Sequence, residues 1–340
     1  MTGWYDASAT LRAFAAATPD YPTSALYRAL CRGIAQGSYA EREAFESLAA
    51  RGWPVEDPVD VDELFRAVHY TLLQRRGRDE LAHYYASVGG RLGPDARAQQ
   101  LFIEFVRDHR TLLLDTRLLP REANDPEPGW RMLNVLAAYA ERAPMDLDLL
   151  NVHARAGVEV VTDLVGQPAG GSLLSPHRVV RRRCFDPAPQ RLADPRLRDW
   201  LIAHCPPDDA ERWDRIHESV DRAMALEVVV GQADAVGVVQ RLRPMDGAVP
   251  VVFGSDLGPQ LPSLEVAIRS RTGRSIWLVD DHAPYLSQIS SDAKIARLDG
   301  QARVTLLREY LDGQVIGSLW GADWIVGGWM ALRGSEDGVA

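Results

Sequence analysis

The chain has 340 residues, 46% of them hydrophobic, and a formal net charge of −9 at pH 7. This length favours two domains, or one domain with a large helical extension. The negative charge argues against nucleic acid and anionic membranes as the main partners, because their phosphates repel an acidic surface. Three cysteines, at positions 31, 184 and 205, are too few and too scattered for a disulfide framework or a zinc site. The N-terminus lacks a basic-then-apolar signal peptide, and charged and amide side chains interrupt the most apolar run, residues 223–239. We therefore expect a cytoplasmic protein.

The first 143 residues have the apolar spacing of amphipathic helices. Helical patterns cover residues 5–50, residues 99–114 and residues 132–142, and a further helix begins at Asp60, its predicted N-cap. His69 lies in the helix that begins at Asp60, and we expect it to pack inside the helical region. The sequence thus predicts an all-α N-terminal domain over residues 1–143.

From residue 144 to residue 335, short apolar runs alternate with helical patterns. The predicted strands are residues 147–152, 179–184, 228–230, 250–253 and 275–279, followed by a hairpin of residues 304–310 and 315–319 around the turn Asp312-Gly313. Alternating strands and helices are typical of a doubly wound sheet. We predict a Rossmann-like, mostly parallel sheet with a C-terminal antiparallel hairpin as the second domain.

The segment after the first predicted strand is the part on which the functional argument depends. In nucleotide-binding folds this position holds a glycine-rich loop, because the backbone must come close to a ligand. Here only Gly157 remains, and His153 and Arg155 occupy positions where such loops have glycine or serine. An arginine at this point is suited to binding an anionic group. The alternative is a decayed site in which Arg155 points to solvent.

The same segment resembles the Leu-Glu-Val-Gly-Ala-Ser-Ala-Gly motif of a bacterial family, domain of unknown function 2332, whose fold resembles that of S-adenosylmethionine-dependent methyltransferases. The residues that match the motif are Leu150, Val152, Ala154, Ala156 and Gly157, and those that depart from it are Asn151, His153 and Arg155. The resemblance extends over residues 24–330. It implies a methyltransferase-like fold and a loop facing the ligand that carries Arg117, Asn124, Asp125 and Arg131.

Ligands of open α/β sheets bind at the carboxyl ends of the strands, and this rule nominates further residues. Asp186, Gln232 and Asp234 follow the second and third strands, Ser255 and Asp256 the fourth, and Asp280, Asp281 and His282 the fifth. Two adjacent acids and a histidine offer a general base, and the resemblance, in which an acid aligns with Asp281, implies Asp281 as the preferred one. Ser255 lacks the glycine pattern of a hydrolase nucleophile, and no histidine pair has metal-ligand spacing. The catalytic candidates are Asp281, His282 and Asp256, and the substrate-binding candidates are His153, Arg155, Arg117, Asn124, Arg131 and Ser255.

Three functions are compatible with these observations. The resemblance implies an S-adenosylmethionine-dependent methyltransferase, but His153 and Arg155 would clash with the amino-acid end of that cofactor. A second hypothesis is a non-catalytic subunit that supports a protein partner. The favoured hypothesis is an enzyme of specialised metabolism that needs no cofactor and binds a small anionic molecule. It would catalyse an intramolecular displacement or an elimination, since positioning alone supplies much of the rate gain of such reactions.

Overall fold

A computed structural model of the protein describes residues 6–21, 23–37, 39–119, 126–139, 144–167, 171–175, 177–298 and 302–322. The α-helices are α1 (Ala7–Ala17), α2 (Ala25–Ala35), α3 (Tyr39–Ala49), α4 (Pro58–Gln74), α5 (Ala96–Asp108), α6 (Arg110–Thr116), α7 (Glu127–Tyr139), α8 (Pro195–Ala203), α9 (Ala210–Ala225), α10 (Ala235–Arg241), α11 (Leu261–Arg269) and α12 (Ala283–Leu286). The strands are β1 (Asp146–Val152), β2 (Arg178–Asp186), β3 (Val230–Gln232), β4 (Val249–Ser255), β5 (Arg274–His282), β6 (Arg303–Leu311) and β7 (Gln314–Ala322).

The chain forms two compact units. The first comprises Met1–Ala123 and Asp194–Asp214, and the second comprises Asn124–Ala193 and Arg215–Ala340. Helix α8 therefore belongs with the N-terminal helices, and α7 belongs with the sheet. The predicted domains, residues 1–143 and 144–335, stay a prediction, because contacts between residues do not test which segments fold independently.

The first unit is built from α1–α6, α8 and short 3₁₀ turns around a buried aromatic cluster. Tyr27 of α2 stacks on Phe65 of α4 with ring centroids 4.2 Å apart, and Phe102 of α5 meets Phe65 edge-on at 5.4 Å. The predicted N-cap of α4 is displaced by one turn: Asp57 is the cap, and Asp60 completes a capping box as the third helical residue. The cause is that Pro58 lacks a backbone N–H and fits the first helical position, so the helix begins earlier.

The second unit is organised by one seven-stranded sheet with the order β3-β2-β1-β4-β5-β6-β7. Strands β1–β5 are parallel, and β6 and β7 are antiparallel to their neighbours, which confirms a mostly parallel α/β sheet with a C-terminal hairpin. The hairpin turns at Asp312 and Gly313, whose φ values of 50° and 78° are those of a two-residue turn with left-handed residues at both positions. Residues 147–152 of β1 are all buried, as expected for a parallel strand covered on both faces.

The third strand lies two residues later than its predicted range, residues 228–230. Glu227 adopts a left-handed backbone with φ 48°, and the Val228 N–H donates to Ala223 O, so this segment ends helix α9. Val229 is exposed, and pairing with β2 begins at Val230. The valine run alone could not distinguish the end of a helix from the start of a strand.

Among the helices of the described ranges, none is both long enough and apolar enough to cross a membrane.

Candidate functional site

The candidate site lies where the carboxyl ends of β1 and β4 separate in the second unit. Strand β1 has β2 on one side and β4 on the other, so the connections leave in opposite directions. In doubly wound sheets the ligand crevice lies between two such strand ends, and the region between the ends of β1 and β4 is called the crevice here. Three residues in the loops at this crevice have left-handed backbones without being glycine: His153 (φ 62°), Arg155 (φ 49°) and Asp256 (φ 51°). Each such conformation costs about 1–3 kcal/mol, and strain of this kind concentrates at functional sites.

The loop after β1 uses its backbone amides inside the protein. The Ala154 N–H donates to Phe185 O at 3.0 Å, and the Arg155 N–H donates to Asp186 Oδ2 at 2.8 Å. The Gly157 N–H donates to Ala154 O at 2.6 Å. These amides are therefore not directed at a ligand, in contrast to the loops of nucleotide-binding folds.

Gly157 serves packing in this loop. Its φ is 76°, and a β-carbon added there would lie 2.8 Å from Val228 and 3.0 Å from Val230. The loop and the start of β3 can approach this closely only because the side chain is absent.

An alternating series of arginine and aspartate side chains crosses the crevice. Arg155 Nη2 lies 3.4 Å from Asp256 Oδ2, and Arg303 Nη1 donates to Asp256 Oδ1 at 2.7 Å. Arg303 Nε also donates to Asp280 Oδ1 at 2.8 Å, and Arg131 binds the same carboxylate from α7. The series joins the loops after β1 and β4 to the ends of β5 and β6. Its most accessible member is Asp256, whose side chain is 34% exposed.

Asp280 is the structural centre of this series. It is fully buried, and Thr305 Oγ1 donates to it at 2.6 Å in addition to the arginines. Burial raises the pKa of Asp280, but the charges of Arg131 and Arg303 outweigh this effect and hold the pKa below its ordinary value. Asp280 is consequently an anionic support at the site's edge.

A buried glutamate lies beneath the crevice. Ser255 Oγ donates to Glu159 Oε1 at 2.6 Å, and Asn151 Nδ2 donates to Glu159 Oε2 at 2.9 Å. Burial raises the pKa of Glu159. The oxygen Asn151 Oδ1 is buried and has no hydrogen-bond partner among the described residues. The ends of β1 and β4 are thus joined by buried hydrogen bonds to the Glu159 carboxylate.

His153 has a fixed orientation at the mouth of the crevice. Its Nδ1 lies 3.1 Å from the Ser255 carbonyl oxygen, which can only accept, so Nδ1 carries the proton in this contact. In the neutral ring Nε2 is then the basic nitrogen.

Asp281, by contrast, holds the loop after β4 and the end of its own strand. Its Oδ2 accepts the Gly258 N–H at 2.7 Å and its Oδ1 accepts the His282 N–H at 2.8 Å. Burial raises the pKa of Asp281, and its side chain is almost inaccessible to solvent. His282 is half-buried and precedes α12 as its N-cap residue.

A comparison with protein-family models matches residues 8–172 and 164–272 to domain of unknown function 2332, described as an uncharacterized protein conserved in bacteria. The chain belongs to this family. No curated protein and no solved structure matches the chain.

Several of the predicted site residues meet at the crevice in this family member. The ends of β1 and β4 bring together four of them: His153, Arg155, Ser255 and Asp256. Arg131 is connected to this group by its ion pair with Asp280. Arg117 belongs to the first unit, where its guanidinium donates to Gly52 O and lies 5.4 Å from the centre of the Trp53 ring. Asn124 and Asp125 lie outside the described residues.

The other residues nominated by strand ends have local structural partners. Asp186 accepts the Arg155 and Ala188 N–H groups, exposed Gln232 donates to Pro187 O, and Asp234 caps α10.

The sequence did not nominate two residues of this site, Glu159 and Arg303. Glu159 follows the loop by two positions and carries no motif. Arg303 begins β6 and pairs with His282, the last residue of β5. Because β6 is antiparallel, its first residue lies at the same edge as the carboxyl ends of the parallel strands. The predicted hairpin began at residue 304 and gave the direction of β6 only relative to β7, so it did not nominate Arg303.

The residues present do not fit S-adenosylmethionine, the cofactor that the resemblance implies. The loop amides are engaged within the protein, and His153 and Arg155 place large side chains where the backbone would approach the cofactor. In addition, Asp186 stands at the end of β2, where a carboxylate binds the ribose hydroxyls in such folds, but its two oxygens accept the Arg155 and Ala188 N–H groups. The part of the chain that the structure describes contains no group of three or more histidine, cysteine, aspartate or glutamate residues suited to a metal ion.

Proposed function

We propose that this chain is an enzyme that needs no cofactor and acts on a small anionic metabolite of a specialised biosynthetic pathway. The reaction is an intramolecular displacement that closes a ring, or an elimination, with departure of an anionic group. The observation that carries the proposal is the pair of strained residues, His153 and Arg155, in the loop after β1. Arg155 does not point to solvent, as it would in a decayed site: its side chain is 7% exposed, and its Nη2 lies 3.4 Å from Asp256 Oδ2.

The strand order supports a Rossmann-like, methyltransferase-like fold for the second unit. The parallel strands follow the order 3-2-1-4-5, the order of doubly wound sheets, with a crevice between the first and fourth strands. We infer that an N-terminal helical domain precedes it and that the protein acts in the cytoplasm. Such a fold suits positioning catalysis, because it aligns a nucleophile with a carbon that bears a leaving group.

Two side chains have chemical roles in this proposal. His153 Nε2 accepts the proton that the substrate loses, since Nδ1 is committed to the Ser255 carbonyl. Arg155, with a side chain that is only 7% exposed, donates hydrogen bonds to the anion that departs with the bonding electron pair. Asp281 and His282 stay predicted catalytic residues. The buried position of Asp281 and its two backbone hydrogen bonds favour His153 as the base.

The test is an incubation of the purified protein with a metabolite extract of the producing cells, without a methyl donor, followed by mass spectrometry. His153→Asn is the decisive variant, because an asparagine amide can keep the hydrogen bond to Ser255 O and tolerates a left-handed backbone. The rate should fall by about 10²–10⁴-fold, the usual contribution of general-base catalysis. Arg155→Lys should retain part of the activity that Arg155→Ala loses, because only the planar fork is lost.

The controls separate the three hypotheses. Arg178→Ala removes a highly exposed arginine and should leave the rate unchanged. Calorimetric titration with S-adenosylmethionine should show no binding; tight binding would instead favour a methyltransferase. If the wild type forms no product in any extract, the non-catalytic subunit becomes the better description, whereas equal product formation by wild type and His153→Asn would exclude His153 as the base.

A further inference from the structure

Asp256 occupies the space between two guanidinium groups at the mouth of the crevice. Its Oδ1 accepts a 2.7 Å hydrogen bond from Arg303, and its Oδ2 lies 3.4 Å from Arg155. Each carboxylate oxygen thus faces a different arginine, one from the loop after β1 and one from the start of β6. This is the arrangement that a planar carboxylate of a ligand would use.

Two features disfavour the position of Asp256 between the arginines. Its backbone is left-handed, with φ 51°, and a third of its side chain is exposed. An exposed side chain can rotate into solvent at little cost in desolvation, and release from the arginines leaves the Arg303–Asp280 ion pair in place. Asp256 is therefore the member of the arginine–aspartate series that can leave most easily.

We propose that the space between Arg155 and Arg303 is a subsite for a carboxylate of the substrate, and that Asp256 fills it in the free protein. The substrate carboxylate displaces the Asp256 side chain and takes over its two guanidinium partners. This subsite rests on the proposed function only in assigning the ligand to a substrate.

Displacement is required by the charges that face the subsite. Asp280 and Asp281 lie at the end of the neighbouring strand, and Glu159 lies beneath it. An additional anion next to Asp256 would meet this set of carboxylates and be repelled, whereas an anion that replaces Asp256 leaves the local charge unchanged. A carboxylate has the planar shape of the group it replaces. A phosphate is tetrahedral and larger.

The experiment measures binding of unreactive probes, so it does not depend on turnover. Affinities for acetate, succinate and inorganic phosphate are measured by ligand-observed NMR for wild type, Asp256→Asn and Asp256→Gly. Both replacements remove the competing carboxylate, and both residue types accept a left-handed backbone. Acetate and succinate should bind each variant about tenfold more tightly than wild type or better, the effect of one charged hydrogen bond no longer contested.

The matched control is Asp312→Asn. Asp312 is also an aspartate with a left-handed backbone, φ 50°, but it lies exposed in the turn between β6 and β7. Its replacement removes the same charge and should leave carboxylate affinity at the wild-type value. Adding Arg155→Met to Asp256→Asn should abolish the gain in affinity, and thermal denaturation confirms that each variant is folded.

Three outcomes would overturn the subsite: unchanged or weaker carboxylate binding by both folded Asp256 variants, an equal gain with Asp312→Asn, or a stronger gain for phosphate than for acetate. Tighter carboxylate binding without turnover in any extract would support the subsite and count against the enzyme. Turnover by wild type without tighter binding by the variants would do the reverse.

Discussion

Arg131 of α7 and Asp280 of β5 form a two-point ion pair: Nε donates to Oδ2 and Nη2 donates to Oδ1, both at 2.9 Å. The carboxylate is 1% exposed and the arginine 17% exposed. Parallel hydrogen bonds of this kind fix the planes of both groups. The pair therefore holds α7 against the end of β5, next to the crevice.

The first prediction concerns this pair. Asp280→Asn should destabilise the second unit by about 3–5 kcal/mol, because the buried charges of Arg131 and Arg303 lose their shared partner. Denaturant unfolding of both proteins measures the difference. The control is Asp146→Asn, which breaks an exposed pair with Arg178 and should have a much smaller effect. Equal losses in the two variants would show that Asp280 has no special structural role.

The contribution of Asp280 to the free energy of unfolding depends on pH, because folding lowers its pKa. Because the folded protein holds this pKa below its unfolded value, the stabilisation is complete above the unfolded value of 3.8 and is lost as the pH falls through the folded pKa. Between pH 6 and pH 4.5 the difference in unfolding free energy between wild type and Asp280→Asn should therefore stay constant.

The second prediction concerns His69 in the first unit. Burial lowers the pKa of His69 from 6.5 to about 4, and its Nε2 lies 2.6 Å from Ser87 Oγ. Above pH 6.5 the ring is neutral in both states. As the pH falls below 6.5, the unfolded chain binds the proton first, so stability decreases until about pH 4.

At pH 5 the loss of stability from His69 should be about 2 kcal/mol relative to pH 7.5. His69→Gln keeps a polar group near Ser87 and does not titrate, so its stability should change less between these two pH values. Urea unfolding at both values provides the measurement. A parallel decline of the two proteins would exclude His69 as the cause.

The third prediction concerns Glu159. Since burial raises the pKa of this acid in the folded state, its ionisation in the unfolded chain favours unfolding at neutral pH, and the penalty disappears as the pH falls. Glu159→Gln should therefore have a higher melting temperature than wild type at pH 8, and the difference should shrink toward pH 5. Asn151 can accept from the new amide through Oδ1, the buried oxygen with no partner among the described residues. A melting temperature below that of wild type at pH 8 would contradict this account.

The fourth prediction compares two glycines in helices. A β-carbon at Gly129 of α7 would lie 2.8–3.0 Å from the Cβ, Cα and carbonyl oxygen of Glu159, which are largely rigid backbone positions. At Gly33 of α2 it would meet the end of the Gln99 side chain, which can move. Gly33→Ala should therefore be neutral or stabilising by up to about 1 kcal/mol, from helix propensity. Gly129→Ala should destabilise by about 1–3 kcal/mol, from overpacking. Thermal unfolding with the same sign for both would refute the argument.

The sequence by itself determined most of the secondary structure and the class of the sheet. Buried parallel strands are continuous apolar runs, so β1, β4 and β5 were found within one to three residues of their ends. The hairpin was found from Asp312-Gly313, because few residue pairs accept two left-handed conformations in succession. The valines before Val230 fit either the end of a helix or the start of a strand, and there the predicted strand began two residues too early.

The sequence nominated several residues of the candidate site but not the ion pairs between them. His153, Arg155 and Asp256 could be nominated, because strand order brings the ends of β1 and β4 together. Their pairing could not be predicted. Arg303 is 47 residues from Asp256 and 23 from Asp280, yet one guanidinium binds both carboxylates. Which charges meet depends on strand register and side-chain direction, and these are settled only when the whole sheet packs; the sequence carries the charges, and the tertiary structure decides their partners.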